Sequence, residues 1–260
     1  MKKWFALGGI FFTSYLVFIL ATLPLPWLLT QLTIPNTVQL SHVSGSVWEG
    51  EIEQVILSQG ANSHQIQQVK TALSFWSLFS LAPKVELRFG DALLTGPEGT
   101  MTLVASENQL SFTEVNILLS ANDIAQQIDL PLPVVAKGDL RLVLSQFDVA
   151  LHEKKCLRAK GNVNWTYAGI TAMEQSIKLG QLKAKISCSK GGIVLNLDPK
   201  NDLGISFSVD INPTGNARNR NFKLSGEGYL KPGKKFPAQI RPVLPFLGKP
   251  DNQGRYLLGF

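Results

Sequence analysis

From Trp4 to Leu23 the chain carries no charge and little that is polar beyond Thr13, Ser14 and Thr22. About twenty such residues, rising about 1.5 Å each, match the roughly 30 Å of a bilayer's hydrocarbon core, so the run predicts a single transmembrane helix over 4–23. Lys2 and Lys3 precede it, and the next basic residue is Lys70. That asymmetry predicts a cytoplasmic N-terminus and places everything after the helix across the membrane. A cleavable signal peptide fits less well. The apolar run exceeds the about 7–15 residues of a signal core, and the exit reads Leu23-Pro24-Leu25-Pro26-Trp27 in place of a small-x-small site.

About 235 residues follow, enough for one large β domain or two smaller lobes with real cores. No second long apolar run occurs among them, although 45% of the chain is hydrophobic. This excludes a polytopic arrangement. Charge is unevenly placed. Residues 24–136 hold 3 basic and 10 acidic side chains, a net of −7, whereas residues 137–260 hold 20 and 9, a net of +11. A basic half can signal nucleic acid, but no nucleic-acid motif accompanies it and the expected orientation removes it from the cytoplasm. Anionic lipid, cell-wall polymer or an acidic protein fits the charge better.

Cys156 and Cys188 fall in the part expected outside the cytoplasm. Two cysteines in an oxidising compartment, without Cys-x-x-Cys spacing, point to one structural disulfide. Closing a loop of about 33 residues should contribute about 3–4 kcal/mol.

Pro24, Pro26 and Pro35 make residues 24–42 a connector. Val43-Ser44-Gly45-Ser46-Val47-Trp48-Glu49-Gly50 then opens the folded region, and Glu51 to Leu57 continues it as a hairpin or adjacent strand. Val47 and Trp48 must face opposite ways on a strand, and the larger aromatic is expected against the sheet with Ile52. On that expectation Trp48→Ala costs about 3–5 kcal/mol. The aromatic stretch Leu73 to Ala82, which includes Trp76, is read as core packing in preference to a lipid contact, because Pro83 stops it and strict alternation resumes at Lys84 to Phe89.

Alternation recurs at Leu110 and Phe112; Leu140, Leu142 and Leu144; Val163, Trp165 and Tyr167; Leu182, Ala184, Ile186 and Cys188; Ile205 to Ile211; and Phe222 and Leu224. Period two with one apolar face predicts antiparallel strands over a single core. Gly45, Gly138, Gly161 and Gly180 each stand two residues before an apolar one, which suggests a recurring turn-strand unit, although the spacing is irregular. The period breaks at Ser120 to Ile128, where Ser120 or Asn122 can cap a short helix. Pro131 and Pro133 follow, near the change of charge sign. The expected organisation is a tip at 1–3, the membrane helix at 4–23, the connector at 24–42, a first β lobe at 43–130 and a second, basic lobe at 131–260. The fold class is mainly β: one transmembrane helix, then a curved antiparallel sheet arranged as a meander, half-barrel or sandwich, with one or two short helices.

Catalytic, cofactor and metal residues are not evident. His42, His64 and His152 are scattered, and Ser187-Cys188-Ser189-Lys190 matches Ser-x-x-Lys without the companion motifs that give that pattern meaning. Asn164-Trp165-Thr166 is formally a glycosylation acceptor inside an expected strand. Glu49, Glu51 and Glu53 share a strand face, most simply a solvated one.

Taken in order, the basic-start apolar helix, the Gly45–Gly50 motif around Trp48, the Trp76 segment, the two late cysteines and the ending Leu244-Pro245-Phe246-Leu247-Gly248-Lys249-Pro250-Asp251-x-x-Gly254-Arg255-Tyr256 resemble the protein N family of the bacterial type II secretion system. The resemblance implies a non-enzymatic accessory component in the inner membrane, with its β region in the periplasm, serving the export of folded proteins across the outer membrane. Its implied partners are other secretion components and inner-membrane lipid, with no cofactor and no nucleic acid. A broader resemblance to AsmA-like lipid-handling proteins implies the alternative, an apolar groove holding a phospholipid ligand.

Overall fold

The computed structural model describes residues 2–31, 33–59, 62–91, 96–126, 134–153, 155–172, 175–214 and 221–259. The chain divides into two compact units, Met1–Gly96 and Pro97–Phe260.

The first unit opens with helix α1 (Lys2–Ala21) and a short helix α2 (Leu25–Gln31). Four strands follow, β1 (Val38–Gly45), β2 (Glu49–Gln59), β3 (Asn62–Leu73) and β4 (Lys84–Phe89), with helix α3 (Phe75–Phe79) between the last two. Each strand pairs antiparallel with its sequence neighbour, as in Val43↔Ile52, Ile52↔Val69 and Thr71↔Leu87. Leu25, Ile52 and Val69 form the buried centre, flanked by Leu29, Leu40, Val43 and Val55.

The transmembrane expectation is corrected here. Among the described residues no helix is long and apolar enough to cross a membrane. Helix α1 is offset from the apolar run by two residues at each end. Lys2 and Lys3 occupy the first turn of α1. At the other end Thr22 forms a turn and Leu23 leaves the helix, its carbonyl accepting from the Val47 amide at 2.9 Å while Pro24 bridges Ser46. Pro24 has no N–H to continue the helix. The cytoplasmic N-terminus was inferred from a spanning helix and is withdrawn with it.

The second unit is a longer meander of nine described strands: β5 (Glu98–Ala105), β6 (Gln109–Ser120), β7 (Val134–Ala150), β8 (Cys156–Ala172), β9 (Gln175–Ser189), β10 (Gly192–Leu197), β11 (Ile205–Thr214), β12 (Asn221–Leu230) and β13 (Tyr256–Gly259). Among the described residues these strands again pair with their sequence neighbours in antiparallel register. Lys190 and Gly191, both at positive φ, make the tight turn between β9 and β10 that matches strand twist. Helix α4 (Ala121–Ala125) follows β6, and the Ser120 hydroxyl accepts from the Asn122 amide as its cap. Residues 127–133, including Pro131 and Pro133 and most of the expected inter-lobe junction, lie outside the described residues. The strands on either side, β6 and β7, pair from Gln109↔Ala150 to Ser120↔Asp139.

One face of this sheet is apolar. Ala168, Ile177, Leu179, Leu203 and Leu230 are buried there, and the chain's own C-terminal segment closes over them through Phe236, Ile240 and Leu244. Ile240 and Leu244 sit in a 3-10 segment, Ala238–Leu247. This filled contact occupies the face on which a lipid groove was the alternative reading. Beyond it, the Asp251 carboxylate accepts from the amides of Gln253 and Arg255 and from the Arg255 guanidinium at 2.8 Å, which fixes the turn into β13 and holds that carboxyl below its usual range.

Long strands bend where extra residues interrupt the ladder. Gly138 in β7 (φ 91°), Tyr167 in β8 (φ 52°) and Gly180 in β9 (φ 83°) stand beside register shifts on three neighbouring strands. A side chain at Gly138 would run into the carbonyls of Thr166 and Tyr167, so only glycine fits. The same irregularity corrects the period assigned to Val163, Trp165 and Tyr167. Trp165 packs on the apolar cluster, whereas Tyr167 is turned out and 88% exposed. Gly138 and Gly180 therefore lie within bent strands, not at the starts of turn-strand repeats.

Cys156 and Cys188 form a disulfide, with Cα atoms 5.7 Å apart. It ties the first residue of β8 to the end of β9, and the Cys156 amide also donates to Gly191 at 2.8 Å. With 32 residues of separation, reduction should remove about 3–4 kcal/mol of stability. Urea unfolding with and without reductant measures this, and equal midpoints would show the bridge to be thermodynamically idle.

Candidate functional site

The residues that end α1 and those of the Gly45–Gly50 motif meet in one tight arrangement. Four carbonyls at a helix C-terminus lack intrahelical partners. One of them, that of Leu20, accepts the indole N–H of Trp48 at 2.8 Å. Val47 donates its amide to Leu23, and Leu73 donates its amide to the Trp48 carbonyl at 3.2 Å. Within the motif the Ser46 amide donates to Glu49 at 2.9 Å, and the Glu49 amide returns to the Ser46 hydroxyl at 3.2 Å. Gly45 has φ 84°, the turn conformation that favours glycine. Gly50 lies against the Leu25 side chain and the Thr71 hydroxyl, where a Cβ would collide with both. Together these residues form a socket that fixes α1 and α2 to the sheet.

This arrangement reverses the expected roles of Val47 and Trp48. Val47 is the buried residue, at 7% exposure, and Trp48 is only half-buried. Trp48 is not among the side chains packed around Ile52. Its indole is drawn to the helix end by the free carbonyl of Leu20, and its ring meets Phe75 edge-on at 5.3 Å. Val17, Leu20, Ala21, Trp48 and Phe75 line an almost wholly apolar groove of about 370 Å³.

The aromatic segment is also corrected. None of the residues of α3 is buried. Trp76 is 79% exposed, Phe79 71% and Leu81 86%. Phe75, Trp76 and Phe79 pack on one another with centroids 5.3–5.9 Å apart. The hairpin is held from beneath by polar bonds, the Lys84 amide donating to the Ser77 hydroxyl at 2.8 Å and the Ser74 amide to the Lys84 carbonyl at 2.9 Å. That framework presents rings outward without needing them in a core. Along α1, Ile10, Phe11, Phe12, Val17, Phe18 and Leu20 are exposed as well.

The polar candidates do not assemble into chemistry. Ser187 lies in β9 and Lys190 in the following turn, with Cys188 between them in the disulfide. His42 pairs with Glu53 at 3.2 Å and Glu51 with Lys70 at 3.8 Å, both on the exposed surface. Among the described residues no three or more His, Cys, Asp and Glu side chains are grouped to hold a metal ion. Asn164 and Thr166 lie within β8.

Similarity to known proteins places these features in a family. The family model for type II secretion system protein N matches residues 36–259. The chain belongs to the type II secretion system protein N family. It is 30% identical to the type II secretion system protein N of Aeromonas hydrophila over 265 residues, covering 100% of this chain and 98% of that one. The Vibrio cholerae serotype O1 protein of the same description is 23% identical, with 98% and 97% covered. That of Klebsiella pneumoniae is 26% identical, with 98% and 94% covered. No solved structure matches.

The socket makes a graded mutational prediction for this protein N family member. Trp48→Phe keeps a ring beside Phe75 but loses the bond to Leu20, costing about 1 kcal/mol. Trp48→Ala should cost about 2–3 kcal/mol, less than for a fully buried tryptophan. Gly50→Ala should cost about 1–3 kcal/mol through overpacking against Leu25. Chemical denaturation of the three variants checks the order, and identical losses for the Phe and Ala variants at Trp48 would contradict the indole's role.

Proposed function

We propose that this protein is a non-enzymatic accessory component of the type II secretion machinery, supporting export of folded proteins across the outer membrane through contacts with other secretion components. The carrying observation is the family match over residues 36–259, which takes in the strands of both units. The proposed site of action is the periplasmic side of the inner membrane. The oxidised Cys156–Cys188 pair supports an oxidising compartment. The exposed apolar side chains of α1 and the outward rings of α3 support association with the membrane-bound machinery, because so much apolar surface is unfavourable in water.

The reading assigns this protein contact chemistry in place of catalysis. Charged and aromatic surfaces on a rigid sheet suffice for that task.

Deleting the gene should leave secreted enzymes folded in the periplasm, and supplying the full chain should restore them to the medium. Fractionation followed by activity assay of a secreted enzyme reads the result. Undiminished secretion by the deletion strain would overturn the proposal.

A further inference from the structure

The face of β7, β8 and β9 opposite the apolar cluster is unusually basic for a sheet surface. Lys137 and Arg141 stand on β7, Lys160 on β8, and Lys178, Lys183 and Lys185 on β9, all exposed. Strand register places them side by side. Lys137 is opposite Gly169, which is opposite Lys178; Arg141 is opposite Asn164, which is opposite Lys183; and Asn162 is opposite Lys185. Strands lie about 4.8 Å apart and alternate residues about 6.8 Å apart, so these cations sit within about a Debye length, roughly 8 Å, of one another or little beyond.

Like charges placed this way repel. The fold supplies little to offset them. None of the six makes an ion pair with a described carboxylate; Asp148 pairs with Arg158 at 4.0 Å, and Asp202, beside Gly180 at one end of the face, pairs with Lys235 at 3.4 Å. Asp139 is the one carboxylate among the neighbouring outward positions of β7, and it lies opposite Thr166. Lys137 makes only a hydrogen bond, donating to the Ser176 hydroxyl at 3.2 Å.

At one end of this face the aligned bulges open a cavity of about 660 Å³, lined by Lys137, Thr166, Tyr167, Gly169, Lys178 and Gln181. Gly169 leaves the floor between the two lysines without a side chain, so a ligand can approach the backbone there. The outturned ring of Tyr167 forms part of the wall.

We propose that this basic face is a docking surface for an extended acidic segment of another secretion component. This deepens the proposed function and rests on it. An extended chain carrying Glu or Asp at alternate positions repeats its carboxylates every about 6.8 Å, the same interval as Lys183 and Lys185 on β9. Between the cations the Asn164 amide donates to Asn162 at 2.8 Å, so these neutral side chains are bonded to one another and the cations carry the recognition. A second copy of this chain is a poorer occupant. Its own carboxylate row on β2 is partly neutralised, since Glu51 pairs with Lys70.

The test uses the purified full-length chain and a fluorescent peptide of alternating glutamate and threonine, with the alternating glutamine peptide as control. The acidic peptide should bind, more weakly as salt rises, and the triple variant Arg141→Gln, Lys183→Gln, Lys185→Gln should lose about tenfold or more in affinity. The variant should keep its disulfide and melt at the same or a higher temperature, because repulsion is relieved. Unchanged peptide affinity in the variant overturns the proposal. So does binding only to phosphatidylglycerol vesicles, or self-association abolished by the same three changes in place of peptide binding. In cells the variant should secrete poorly at normal abundance. Normal secretion by the variant where the deletion strain fails would sink this surface while leaving the accessory role standing, whereas normal secretion by the deletion strain would sink the role itself.

Discussion

Pairing of each strand with its neighbour in sequence, apolar side chains held to one face, is the constraint on which the other features of both units depend. Such pairing satisfies the backbone by short connections and needs no long crossover. It also exposes a broad second face. In the second unit the C-terminal segment packs over the apolar cluster of the inner face through Phe236, Ile240 and Leu244, while the outer face of β7 to β9 carries the exposed cations. The disulfide reinforces this region by tying β8 to β9, the strand that carries three of its six cations.

The first unit solves a different problem, joining an apolar helix to a sheet. The end of α1 has carbonyls to satisfy, and the Gly45–Gly50 turn brings an indole donor and a backbone amide to the positions where they are needed. Gly50 must be bare because Leu25 and Thr71 press against it. The outward rings of α3 lie next to this junction through the contact between Trp48 and Phe75. Apolar surface is thus concentrated in one part of the unit, whereas the second unit presents cations.

Much of this was legible in the sequence because period-two alternation has a direct physical meaning. Leu182, Ala184 and Ile186 identify the inner face of β9, and Ser120 identifies the cap of α4. The cysteine pair follows from their number. Where reading failed, the cause was a local interaction that alternation does not encode. Tyr167 turned outward because a bulge adds a residue to β8. Trp48 yielded the buried position to Val47 because a helix carbonyl 28 residues away offered its indole a partner. The aromatic density of α3 was mistaken for a core signal, since composition does not reveal on which side of a hairpin the rings project. The N-terminal helix starts at Lys2 and ends at Ala21, two residues ahead of the apolar run at each end, because Leu23 and Pro24 are engaged by the sheet. The basic outer face of β7 to β9 was visible only as net charge, since the lateral alignment of Arg141, Asn164 and Lys183 requires the register.

If partners meet the outer face of β7 to β9 while the C-terminal segment covers the apolar cluster on the inner face, photo-crosslinking in secreting cells will tell the two faces apart, with a photoreactive residue placed either at Gln181, exposed beside the basic face, or at Leu182, packed against the apolar cluster. Crosslinks to another secretion component are expected from position 181 and only intramolecular products from position 182. Intermolecular crosslinks from 182 with none from 181 would contradict this arrangement.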